Sequence, residues 1–136
     1  MALILVIDDD QDIRRILSRI LLAAGHAVRE AENGKVGLKQ VTDEPPDLII
    51  TDILMPEKDG IEAIEDIRRL PRAPKIIAMS GGGRYKGFEF LEIAKCLGAD
   101  ALLTKPFRSA ALLDTVEQVL GVPKDRANPE RIGQRN

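Results

Sequence analysis

The sequence predicts an α/β fold: a three-layer α/β/α sandwich around a five-stranded parallel sheet of order 2-1-3-4-5. Two observations predict it. Apolar runs alternate with amphipathic stretches five times along the chain. Several of those runs are continuous rather than alternating, as strands covered on both faces require. Short connections between β and α units then imply right-handed crossovers and parallel pairing.

Each element has its own signal. Leu3–Ile7 is the first apolar run. Asp10 and Asp12 follow where negative charge favours a helix start. Ile13, Ile16, Leu17, Ile20, Leu21 and Ala24 recur at three and four residues, with Arg14, Arg15, Ser18 and Arg19 on the other face. Gly25 reads as the stop of that helix. Ala27–Ala31 is the second run, and Asn33 suits the N-cap of a short helix carrying Val36 and Val41. Pro45 and Pro46 end it. Leu48–Thr51 is the third run. Ile61, Ile64, Ile67 and Leu70 form the next helical stripe, ended at Pro71. Lys75–Met79 is the fourth run. Phe90, Ile93, Ala94 and Leu97 form a further stripe, ended at Gly98. Ala101–Thr104 is the fifth run, and Leu112, Leu113, Val116, Val119 and Leu120 form the last stripe, ended at Gly121.

These units place one domain at residues 1–121. Residues 122–136 are polar, hold Pro123, Pro129 and Gly133, and lack an apolar period, so they read as a tail. The tail carries Lys124, Arg126, Arg131 and Arg135 against Asp125 and Glu130 and is therefore basic.

The chain of 136 residues is 44% apolar and 31% charged, as an ordinary globule is. A net charge of −2 gives no electrostatic case for nucleic-acid binding. No apolar stretch is long enough to span a bilayer, and no signal-peptide pattern opens the chain. Cys96 is the one cysteine, so no disulfide forms within the chain and a reducing cytoplasm is the expected setting. Cys96 reads as a small, partly buried helix residue. His26, the one histidine, lies far from the strand ends and reads as structural or exposed.

The chemistry gathers where the strands end. Asp8 and Asp9 close the first run, Asp52 the third, Ser80 the fourth and Lys105 the fifth. In an open α/β sheet the ligand site lies outside the carboxyl ends of the strands. Three carboxylates, a hydroxyl and an ammonium therefore converge on one edge. Clustered carboxylates repel one another and favour a hard divalent cation, Mg2+ or in its place Mn2+. The Leu54 carbonyl can add a neutral oxygen ligand, which any residue type supplies. An aspartate can attack phosphorus to form an acyl phosphate. Donor and acceptor are both anionic, so cancelling charge is the main obstacle, and the cation with Lys105 would provide that.

Together these motifs resemble the receiver domains of two-component response regulators. The residues are Val6-Ile7-Asp8-Asp9-Asp10, Asp52-Ile53-Leu54-Met55-Pro56 with Asp59-Gly60, Ser80-Gly81 and Lys105-Pro106-Phe107. The resemblance covers roughly residues 2–121, and it implies a flavodoxin-like receiver fold. It implies that Asp52 is the phosphoacceptor, Asp9 a direct metal ligand, and Asp8 a second ligand or one acting through water. Ser80 stands at the position of the switch hydroxyl, and Lys105 at that of the family's ammonium, with a cis Lys105–Pro106 bond. Implied partners are a sensor histidine kinase or phosphotransfer protein in a phosphorelay, and a downstream protein or second copy of the chain. No direct DNA binding and no membrane contact are expected. Output is expected through the Phe90–Leu97 stripe, the fifth strand and the last helix.

Two departures from the family pattern stand out. Leu102 occupies the place three residues before the lysine where an aromatic switch residue is common. The segment Gly81–Gly87 is longer and richer in glycine than usual. Leu54 and Gly82 offer no carboxylate or amide to orient water, which implies slow loss of the phosphate.

A competing reading is a phosphohydrolase of the haloacid-dehalogenase type, with Asp8 as nucleophile and Asp10 as acid/base. Asp12 stands where that motif usually has threonine or valine, and no cap domain is evident. A third reading is a receiver-like scaffold that is never phosphorylated; the full set of site residues argues against it.

Overall fold

The computed structural model describes residues 1–53, 60–81 and 98–121, with the backbone alone at 60, 61, 80 and 81. The expectations for Leu54, the 82–87 loop, the Phe90–Leu97 stripe, Cys96 and the 122–136 tail lie outside those residues, as does the Ser80 side chain.

The described strands are β1 (Leu3–Ile7), β2 (Ala27–Ala31), β3 (Leu48–Asp52), β4 (Lys75–Gly81) and β5 (Ala101–Lys105). The helices are α1 (Gln11–Ala23), α2 (Gly34–Asp43), α3 (Gly60–Arg68) and, after β5, α4 (Ser109–Leu120). The sheet has the order β2-β1-β3-β4-β5, with every pairing parallel. This is the predicted order. Three strands run further than their apolar runs: β3 includes Asp52, β4 includes Ser80 and Gly81, and β5 includes Lys105. The ladder thus carries polar residues to the edge where they are needed.

Period-two alternation divides the core between the two faces. Ile4, Val6, Leu48, Ile50, Ile77 and Met79 pack with Leu17 and Leu21 of α1 and Leu112 and Val116 of α4. Leu5, Ile7, Ile49, Ile76 and Ala78 pack on the other face with Val41 of α2 and Ile64 and Ile67 of α3. Helix α2 lies close to β1 because Gly37 faces Ile7. A Cβ at Gly37 would come within 2.5 Å of Ile7 Cδ1.

The helix ends follow local chemistry. The Asp10 carboxylate accepts from the Asp12 and Ile13 amides, at 2.9 and 3.4 Å, and caps α1. Asn33 Oδ1 accepts from Val36 N at 2.8 Å and caps α2. Gly121 closes α4 at φ 72°, a left-handed position that suits glycine. At the opposite end of the sheet Arg68 Nη2 donates to Asp100 Oδ2 (2.9 Å) and to the Gly98 carbonyl. Asp100 Oδ2 also accepts from Ile76 N at 2.8 Å. This network ties α3 to the start of β5.

The structure corrects the solvent face expected for α1. Ser18 is buried and the Arg14 side chain is only 13% exposed, because both face the polar end of β2. Ile16, expected in the apolar stripe, is 55% exposed. Of the α2 pair, Val41 is buried while Val36 is 38% exposed. His26 is half-buried, and its Nδ1 accepts from Ala2 N at 3.2 Å.

Candidate functional site

Strand register brings the predicted residues to one edge. Ile7, the last residue of β1, pairs with Thr51, so Asp8 emerges beside Asp52. Asp52 pairs with Met79, Ser80 with Thr104, and Gly81 with Lys105. The ends of β1 and β3 lie within one residue of each other, β4 and β5 run two residues beyond Met79, the partner of Asp52, and the β4 backbone at Ser80 belongs to this edge.

Asp8 is fully buried, Asp52 is 8% exposed and Asp9 is exposed. One carboxylate oxygen from each of the three lies within 4.8 Å of the others. Lys105 Nζ donates to Asp8 Oδ2 at 3.0 Å and to Asp52 Oδ2 at 3.2 Å. The other Asp8 oxygen, Oδ1, accepts from Asp10 N at 2.9 Å. The Lys105–Pro106 peptide bond is cis.

The electrostatics follow from this crowding. Burial raises the Asp8 pKa above 3.8, the nearby Asp52 charge adds to the rise, and the Asp10 amide and Lys105 oppose it. Burial disfavours the Lys105 charge, but Asp52 and Asp8 outweigh it and raise the lysine above 10.5. Lys105 thus stays charged at neutral pH.

Among the described residues, Lys105 pairs with Asp8 and Asp52, and Asp9 brings a third carboxylate to the same edge. The donor set fits a hard divalent cation. All three side chains offer oxygens, they retain excess negative charge, and exposed Asp9 opens the cluster to solvent. Asp8, Asp9 and Asp52 are the side chains that would hold such an ion.

The same geometry bears on the phosphohydrolase reading. The Asp10 carboxylate is turned into the start of α1 as its cap. Both oxygens of buried Asp8 accept hydrogen bonds. Neither residue is presented as that reading requires.

Two contacts had no counterpart in the sequence reading. Arg14 Nη1 donates to the Asp8 carbonyl at 2.6 Å, and its Nε donates to Glu30 Oε1 at 3.1 Å. A polar residue one step before the end of an edge strand was the only available sign. Beside the site, Ile13, Ile16, Leu17, Pro106 and Phe107 line an apolar groove of about 430 Å³ that reaches Lys105.

Comparison with known proteins identifies the family. The family model for the response regulator receiver domain matches residues 4–117. The chemotaxis protein CheY of Halobacterium salinarum is 34% identical over 117 residues, covering 86% of this chain and 95% of that protein. The response regulator receiver protein CpdR of Brucella abortus is 34% identical over 125 residues, covering 88% and 98%. The chain spans only 24% of the transcriptional regulator NtrC of Azospirillum brasilense, at 37% identity. Among solved structures, chemotaxis protein CheY4 of Vibrio cholerae superimposes with a TM-score of 0.80 at 30% identity, covering 88% of this chain and 98% of that one. A response regulator from Chloroflexus aurantiacus gives 0.82 at 29% identity, with the same coverage. Proteins of this kind are signalling modules rather than classical enzymes, and they bind Mg2+ at an acidic pocket. With its sheet order, its acidic edge and a family match across nearly all the described residues, the chain belongs to the response regulator receiver domain family.

Proposed function

We propose that Asp52 accepts a phosphoryl group from a histidine kinase or phosphotransfer protein in a Mg2+-dependent reaction. The observation that carries this reading is the Lys105 ammonium set between Asp8 and Asp52, at 3.0 and 3.2 Å, on the edge that also holds Asp9. In the transfer the P–N bond of a phosphohistidine breaks and a P–O bond to an Asp52 oxygen forms. The freed imidazole keeps the electron pair and takes up a proton. A bound divalent cation would supply positive charge to the phosphoryl oxygens. Lys105 neutralises the acceptor before transfer and can follow the new phosphate afterwards. Asp8 and Asp9 act as cation ligands, with the Leu54 carbonyl as a further one. The Ser80 hydroxyl takes the role of a donor to the attached phosphate, a contact that exists in one state only.

The groove beside Lys105 is assigned to the donor protein. It is apolar, reaches the site residue itself and exposes Ile16. Output is assigned to contact with another protein or a second copy. None of the described helices is long and apolar enough to cross a membrane, which suits a domain working in the cytoplasm.

The reading is tested with acetyl phosphate and a phosphohistidine donor, each with Mg2+ and with chelator. One base-labile phosphate per chain, absent in Asp52→Asn and absent without the cation, is expected. Labelling of Asp52→Asn equal to that of the unaltered protein would overturn it.

A further inference from the structure

We propose that Arg14 is a positioning residue for the cation site: it clamps the Asp8 carbonyl so that the turn after β1 holds Asp8 and Asp9 against Asp52, and Glu30 anchors it from β2. The inference rests on the reading that those three carboxylates hold a divalent cation.

The turn from β1 to α1 spans residues 8–10, and it must present two successive carboxylates to a third from another strand. Asp8 is fixed at each polar group. Its amide donates to the Ala31 carbonyl at 3.1 Å, and its carboxylate receives Asp10 N and Lys105. Arg14 completes the set by donating to the Asp8 carbonyl at 2.6 Å. The guanidinium reaches back six residues from within α1, so helix and strand end are tied directly.

Arg14 is itself held. Glu30 Oε1 accepts its Nε at 3.1 Å, and Glu30 Oε2 accepts the buried Ser18 hydroxyl at 3.1 Å. Gln40 Nε2 donates to the Glu30 carbonyl at 3.0 Å, linking α2 to the same point. With only 13% of its side chain exposed, Arg14 is not an ordinary solvated surface arginine. Glu30 also balances its charge, so a cation brought near an acidic site does not swing onto the carboxylates. Its planar fork fixes the directions of its two contacts, which the point charge of an ammonium on a flexible stem would not do.

The sign of one measurement separates a clamp from a mere charge. Arg14 is a positive charge beside a cation site. If it acted only through its field, its removal would tighten Mg2+ binding. If it holds the ligands, its removal loosens binding. Partners that orient a metal ligand cost about 10- to 100-fold in affinity when lost. A carbonyl clamp one bond further from the ion belongs at the low end, about 10-fold.

The test is Mg2+ titration by calorimetry, at fixed ionic strength, of the unaltered protein, Arg14→Met and Asp9→Asn. Thermal melts of each show that the fold persists, and Arg14→Gln replaces Arg14→Met if the latter fails to fold. Arg14→Met is expected to bind about 10-fold more weakly. In ion-free protein the Asp9 and Asp10 amide resonances are expected to shift, which a change of stability alone would not cause. Equal or tighter binding by folded Arg14→Met, with Asp9→Asn weakened, overturns the clamp and leaves the site reading intact. No Mg2+ binding by the unaltered protein, or no loss in Asp9→Asn, overturns the site reading and the clamp with it.

Discussion

The Lys105 ammonium lies 3.2 Å from Asp52 Oδ2, although the two residues are 53 positions apart in the chain. Parallel pairing makes this contact. Both residues end their strands, and β4 lies between those strands. Lys105→Met is expected to leave Mg2+ binding as tight or tighter, because a competing positive charge is gone. Phosphorylation by acetyl phosphate should slow by about 100-fold, the scale for losing one stabilising donor. Parallel calorimetry and labelling kinetics check both halves.

Asp8 is buried beside another carboxylate, and its pKa is raised. The sign follows directly. A raised folded-state value means that the charged form destabilises the fold, and that stability is recovered as pH falls through that value. Asp8→Asn should therefore melt higher than the unaltered protein at neutral pH without divalent ions, by about 2–4 °C. Added Mg2+ should raise the melting point of the unaltered protein more than that of the variant.

His26 runs the opposite way. Burial, with the nearby terminal ammonium, lowers its pKa below 6.5, and its Nδ1 accepts from the Ala2 amide. The unfolded chain then binds the proton more readily, so stability present above about pH 6.5 is lost as pH falls below it. Urea unfolding at pH 7.5 and 5.5 should show a larger loss for the unaltered protein than for His26→Gln. Equal losses would contradict this role.

Ile16 tests the donor groove. It is 55% exposed and lines the surface that reaches Lys105. Ile16→Glu should slow phosphorylation by a protein donor about 10-fold, the scale of an interface residue worth over 1 kcal/mol. It should leave labelling by acetyl phosphate unchanged, because a small donor needs no docking surface.

Much of this fold was legible because its signals are local. Continuous apolar runs marked the strands, and Asp10 and Asn33 marked two helix starts by their capping chemistry. The strand ends also named Asp8, Asp9, Asp52 and Lys105, since topology alone places strand ends together. What escaped was long-range pairing between polar side chains. Periodicity assigns α1 a single apolar face, but this helix also borders edge strand β2. Arg14 and Ser18 therefore meet Glu30 where solvent was expected. Arg68 and Asp100 meet across the sheet end for the same kind of reason, 32 residues apart. No local pattern encodes either pair.

The central claim is that the phosphoryl group resides on the Asp52 side chain. Borohydride reduction after incubation with acetyl phosphate and Mg2+ converts an acyl phosphate to an alcohol, and peptide mass spectrometry then locates it. The account predicts homoserine at position 52, absent when a chelator replaces Mg2+. Homoserine at Asp8 or Asp9 with Asp52 unmodified would contradict it.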